Sequence, residues 1–165
     1  MYIPRFLKTT MTRAADQFPA VILTGPRQSG KTTFLQQEFD DATAYASLDD
    51  PFTRDFARHD PQGFLAAFGD KTVILDEVQY VPELFPYLKI RIDQDRRRYG
   101  KWLLTGSQQF SMMKNVTESL AGRIAILNLL PFSILEFRKE GDDALENSIW
   151  NGGYPEPALA GEKRD

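Results

Sequence analysis

The chain has 165 residues, 42% of them hydrophobic and 26% charged, with a formal net charge of -3 and a pI near 5.3. This is the size and balance of one ordinary soluble domain, and its acidity argues against a generally basic nucleic-acid surface while leaving room for a local patch. With no cysteine and a single histidine, His59, disulfides, thiolate metal sites and cysteine nucleophiles are excluded, and a zinc centre is disfavoured.

The N-terminus, MYIPRFLKTT, carries charge but no apolar run of secretory length. No later stretch approaches the length of a membrane span, so no membrane contact is expected and the cytoplasm is the default setting. Phe6, Leu7, Met11, Ala14 and Ala15 recur at helical spacing and predict a helix over 3–17, with Pro4 near its first turn. A strand over 20–23 follows, then a Gly-bounded loop, then a helix over 30–39 that buries Phe34 and Leu35. A second strand is expected over 42–48. Asp49 or Asp50 is placed to cap a short helix running through His59. Asp60-Pro61 restarts a helix with Phe64, Leu65 and Phe68 on one face, ended by Gly69. Residues 72–75 are apolar or β-branched throughout, the mark of a strand buried on both faces.

Pro82 opens a long helix expected to reach Tyr99 before Gly100 stops it. Its second half, RIDQDRRR, is read first as a solvated face and second as a contact surface. A strand over 101–105 follows, then two helices over 110–115 and 117–121, then a last strand over 124–129. Helices are expected from Pro131 to Gly141 and over 142–151, with a loose tail beyond Ala160. Trp102 and Trp150 are most simply core residues. Strand and helix alternate about five times, the signature of a parallel sheet with helices on both faces. A ligand should then lie beyond the carboxyl ends of the strands.

Two motifs fall at those ends. Gly25 to Thr32 is G-x-x-x-x-G-K-T, between a strand and a helix. Gly25 and Gly30 allow backbone angles and close approaches that a side chain would obstruct. The loop amides and the helix N-terminus then form an anion-binding hollow from Gly25, Pro26, Arg27, Gln28, Ser29 and Gly30 through Lys31, Thr32 and Thr33. Lys31 is expected on the β and γ phosphates of ATP, and the Thr32 hydroxyl on Mg²⁺. Arg27 has an equally good reading as a solvent-facing residue. The second motif is Asp76-Glu77 after TVIL. Asp76 is expected beside the metal, and Glu77, one residue on, can orient and deprotonate an attacking water. A second acid at this step favours hydrolysis over phosphoryl transfer.

Ser107, and less directly Gln108 or Thr105, could report the γ phosphate from the end of the 101–105 strand. Arg123 sits between SLAG and the last strand, where a guanidinium could serve a neighbouring subunit's site in trans. Its alternative is an ordinary salt bridge.

The blocks GPRQSGKTT, VILDEVQ, LLTGSQQF, SLAGR, LLPFSILEF and GGYPE, in this order, resemble the AAA-type ATPase domain of a bacterial and archaeal group. The resemblance spans nearly the whole chain. It implies an α/β three-layer P-loop fold with a five-stranded parallel sheet in the order 5-1-4-3-2. It also implies Lys31 and Thr32 as the loop pair, Asp76 and Glu77 as the metal and water acids, Ser107 as sensor and Arg123 as finger. Residues 1–130 would be the core, with 1–19 an N-terminal helix, and 131–165 a helical extension forming an incomplete lid. Members of the group are usually more than twice this length, and Arg138 and Arg164 are weak substitutes for a lid arginine.

The leading expectation is Mg²⁺-dependent binding and slow hydrolysis of ATP, coupled to conformational change, with a homo-oligomer formed through the Arg123 face. A nucleotide-dependent switch with little turnover, a small-molecule kinase, and a nucleic-acid contact through Lys89, Arg91, Arg96, Arg97, Arg98 and Lys101 stand as alternatives.

Overall fold

A computed structural model describes residues 2–39, 43–107, 110–137 and 152–156. Five parallel strands form one sheet: β1 (Ala20–Gly25), β2 (Ala44–Ser47), β3 (Val73–Asp76), β4 (Trp102–Ser107) and β5 (Ile124–Asn128). Their order is β2-β3-β4-β1-β5, the expected order counted from the other edge. The α-helices are α1 (Leu7–Ala15), α2 (Lys31–Glu38), α3 (Pro51–His59), α4 (Pro61–Ala66), α5 (Leu84–Gln94), α6 (Phe110–Leu120) and α7 (Ile134–Phe137).

The two-residue period of the strands divides the core. Ala20, Ile22, Val73, Leu75, Trp102 and Leu104 face α4, α5 and α6 through residues such as Leu65, Phe85, Leu88 and Val116. Val21, Leu23, Ile74 and Leu103 face the other way, onto Met11 and Ala14 of α1 and Phe34 and Leu35 of α2. Burial on both faces explains why the central strands are apolar up to their carboxyl ends. The edge strands are wetter, with Tyr45 and Ile126 both exposed. A chain of edge-on rings, Phe56–Phe64–Phe68–Trp102, closes one end of the first cluster with centroid spacings of 5.6, 5.2 and 6.5 Å.

The capping acids act where the sequence puts them. Asp50 accepts from the N–H of Thr53, and Asp60 from that of Gly63, both at 2.8 Å.

Three boundaries differ from expectation. α1 begins at Leu7 because residues 2–5 make tertiary contacts instead; the Tyr2 hydroxyl donates to Glu38 at 2.7 Å. α5 stops at Gln94, not Tyr99. Arg96 and Arg98 turn to separate acids, Asp93 and Asp70, and Gly100 must dock under Ala15, where a Cβ would lie 2.9 Å from the Ala15 carbonyl. The two helices expected over 110–121 are the single helix α6. The expected helix from Pro131 is described only as the short α7, and the expectations for 142–151, Trp150, Arg138, Arg164 and the tail beyond Ala160 lie outside the described residues.

Leu104 is fully buried in a central strand, whereas Ile126 is 42% exposed on an edge strand. Leu104→Ala should therefore cost about 2–5 kcal/mol, and Ile126→Ala less than about 1 kcal/mol. Denaturant midpoints at unchanged slope measure both.

Candidate functional site

The parallel register brings the motifs to one edge. Gly25 pairs with Ser107, and Leu75, the residue before Asp76, pairs with Leu104. The loop from Gly25 to Gly30 leaves this edge and enters α2. Gly25 has φ +150°, and a Cβ there would lie 2.2 Å from the Leu129 carbonyl oxygen, so the backbones can meet only through glycine. Gln28 and Gly30 are left-handed, with φ 62° and 87°. Ser29 is buried, and its hydroxyl has no hydrogen-bond partner among the described residues. A buried hydroxyl of this kind calls for a partner such as water or an ion.

Lys31 is buried beneath the loop. Its Nζ donates to the carbonyls of Gly25 at 3.2 Å and Pro26 at 2.8 Å. Burial pushes its pKa down; Glu77 and Asp76 pull it up, Arg27 adds to the depression, and the net shift is downward. The loss of solvation on burial outweighs the two nearby carboxylates, and a bound anion would favour the charged ammonium. Arg27 and Thr33 are exposed, and Pro26 is half-buried.

Asp76 is the junction of the site. Thr32 Oγ1 donates to its Oδ1 at 2.8 Å, Thr105 Oγ1 donates to the same oxygen, and the Tyr45 hydroxyl donates to Oδ2 at 2.9 Å. Burial, then the charge and hydrogen bond of Asp76, push the Tyr45 pKa up to about 12. Thr32 and Asp76 are oxygen donors at the mouth of an anion cradle. That set fits a hard divalent cation that takes its other ligands from phosphate and water, as Mg²⁺ does. Among the described residues there is no cluster of three His, Cys, Asp or Glu that could hold a metal without such help.

Glu77 is left-handed, with φ 58°, an uncommon conformation for a residue with a side chain. Its N–H donates to Thr105 Oγ1 at 3.0 Å. Its carboxylate accepts from Gln79 Nε2, and Gln79 Oε1 accepts from the Ser107 N–H at 3.3 Å. The Ser107 hydroxyl is buried with no partner among the described residues. Thr105, the alternative reporter, is already engaged by Asp76. Gln108 lies outside the described residues.

Sequence reasoning missed Tyr45 and Gln79. Gln79 stood inside the VILDEVQ block. Tyr45 had no signal, because nothing local in AYAS shows that it reaches across to the end of β3.

Arg123 does not reach this site within its own chain. Ile124 pairs with Ala20, so Arg123 sits at the amino edge of the sheet, about 16 Å from the loop along the strands. There Asp93 clamps it bidentately at 2.7 and 2.9 Å and raises its pKa. The basic run is threaded with acids, Arg96 pairing with Asp93 and Arg98 with Asp70. His59 is exposed on α3, with Nδ1 2.8 Å from the Asp55 carbonyl oxygen.

A small cleft of about 120 Å³ opens beside the loop, lined by Ile3, Thr33, Phe34, Phe132 and Pro155 among others, and most of its lining is apolar. Arg5 also lines it. It is 6% exposed as a residue, and its guanidinium pairs with Glu136 at 3.2 Å.

A family model described as AAA domain matches residues 17–138. The chain belongs to the AAA domain family. It is an AAA-type P-loop ATPase domain, a class built to bind ATP. Two relatives, the uncharacterized proteins Mb2031c of Mycobacterium bovis and Rv2008c of Mycobacterium tuberculosis, are each 32% identical over 156 residues. The match covers 94% of this AAA domain and 34% of each relative, so the chain spans about a third of their length. Among solved structures, the RuvB Holliday junction branch migration motor of Thermotoga maritima superposes with a TM-score of 0.62 at 18% identity, covering 98% of this chain and 61% of that one. A single-substitution variant of it gives 0.61 at 19%, with the same coverage. These likenesses carry the fold. Among the described residues, no helix is long and apolar enough to cross a membrane.

Burial raises the Glu136 pKa, but the N–H groups of Ser133 and Phe6 and the Arg5 guanidinium outweigh it and hold the carboxyl below its ordinary 4.5. A depressed acid stabilises the fold fully above its unfolded pKa, and that contribution disappears as pH falls through the folded value. Between about pH 5 and about pH 3 the melting temperature should therefore fall less in Glu136→Gln than in the parent, as thermal scans across that range will read.

Proposed function

We propose that this domain binds ATP with Mg²⁺, hydrolyses it slowly and couples the cycle to a conformational change. The observation that carries the reading is the convergence of Lys31, the Thr32–Asp76 pair and Glu77 at one sheet edge. The loop amides from Gly25 to Gly30, with Lys31, Thr32 and Thr33, would grip the phosphates. To reach them, Lys31 Nζ would exchange the Gly25 and Pro26 carbonyls for phosphate oxygens, a short swing of an already buried ammonium. The base would lie in the apolar cleft by Ile3, Phe132 and Pro155.

Thr32 and Asp76 would hold Mg²⁺, which when bound neutralises charge on the phosphate oxygens. Glu77 orients the attacking water and accepts its proton. Ser107 donates from the neighbouring strand. Arg123 of an adjacent subunit would supply further positive charge, which requires it to leave Asp93. Residues 1–130 would make up the catalytic core and 131–165 the extension over it. A cytoplasmic setting, supplied with both ATP and Mg²⁺, suits this chemistry.

One observation favours a second reading, a nucleotide-dependent switch with little turnover. The Glu77 carboxylate is held by Gln79 rather than free to meet water.

Glu77→Gln should retain ATP binding and lower phosphate release by about 10²-fold or more, while Lys31→Ala should lose binding. Release by the parent no greater than by Lys31→Ala sinks the hydrolytic reading and leaves the switch. Absence of Mg²⁺-dependent ATP binding by calorimetry sinks both.

A further inference from the structure

The stretch after β5 touches the phosphate loop at both of its ends. At the first end, the Leu129 carbonyl packs on Gly25, too close to admit a Cβ, and the Leu129 N–H donates to Thr24 O at 2.8 Å. At the other end, Arg5 makes the connection. Its Nη1 donates to the Ser29 carbonyl at 3.1 Å, its Nη2 to the Leu130 carbonyl at 2.5 Å, and its Nε to Glu136 at 3.2 Å, while the Phe132 ring lies 4.4 Å from its guanidinium carbon. Glu136 in turn accepts from the N–H groups of Phe6 and Ser133, both at 2.8 Å. The pair is buried, with side-chain exposures of 4% and 7%.

We propose that Arg5, held by Glu136, is a positioning residue that couples occupancy of the phosphate loop to the setting of the stretch from Leu129 to α7. The inference rests on the reading that the loop binds ATP. A guanidinium is a rigid planar fork. When the loop re-aims its peptides toward phosphate, the Ser29 carbonyl cannot shift on one prong while the other two stay fixed. Releasing the Ser29 carbonyl alone would leave a buried guanidinium N–H without its acceptor, which is unfavourable. The partners therefore move together, and the exposed helix α7 moves with them. A lysine keeps the charge but loses the fork. Glutamine at 136 keeps the shape but loses the charge.

The chain has no cysteine, so Leu135→Cys gives a unique labelling site at a side chain that is 69% exposed. An environment-sensitive dye there should change emission when saturating ATP and Mg²⁺ are added, and not in the Lys31→Ala background. Arg5→Lys and Glu136→Gln should each reduce that change by about fivefold or more at equal ATP occupancy. The double variant should lose no more than either single one, because both act through one junction. Occupancy is read separately by calorimetry, so a purely structural loss is told apart. If Arg5→Lys does not fold, Glu136→Gln decides by the same readout.

A parent that binds ATP with no dye response overturns the coupling and leaves the ATP reading intact. A full response in Glu136→Gln overturns it as well. A parent that binds no ATP overturns both.

Discussion

The carboxylate of Asp76 is the constraint on which the rest depends. It ends β3 and accepts hydroxyls from the first turn of α2, from β4 and from β2. A buried carboxylate is costly unless its lone pairs are met, and here three elements meet them. The same bonds fix the register between the phosphate loop and the acid strand. Thr105 is doubly used, since it also accepts the Glu77 N–H. That bond helps hold Glu77 in its left-handed conformation, and strain of this kind persists only where its surroundings enforce it.

Much of this was legible in the sequence, and the reasons are local. Gly25 and Gly30 announce a loop that needs bare backbone, and the uniform apolarity of VIL at 21–23 and again at 73–75 announces strands buried on both faces. Asp50-Pro51 and Asp60-Pro61 are caps whose geometry is complete within four residues. What was not legible is what long-range packing decides. Tyr45 becomes part of the site only through the pairing of Ser47 with Asp76. Arg5 lies within a stretch that helical periodicity claimed for α1, yet its partners are at positions 29, 130 and 136. The end of α5 is set by Gly100 docking under Ala15, two residues brought together by the fold and not by sequence.

Gln79 has a similar lesson at shorter range. It is two residues from Glu77, close enough to be seen in the motif, but its role depends on the end of β4 lying alongside. It joins the acid expected to handle water to the strand whose Ser107 hydroxyl has no partner among the described residues. A change at either end is felt at the other through one amide. This arrangement gives the two readings of function a common physical basis. An acid held by a neighbour is quiet, and the same acid released by that neighbour is available.

The described residues at this edge balance only part of a polyphosphate's charge. The described loop and strand ends carry one buried cation, Lys31, and an exposed one, Arg27, against the two acids Asp76 and Glu77. Arg5 reaches the loop at the Ser29 carbonyl, but it is paired with Glu136. Arg123 is paired with Asp93 at the opposite sheet edge. A polyphosphate brings several negative charges, and in the transition state of its transfer charge is spread over the three equatorial oxygens. Lys31 balances only part of that. The remainder has to arrive with the ligand, as a divalent cation, or from another surface, and catalysis depends on such charge being positioned in advance rather than recruited.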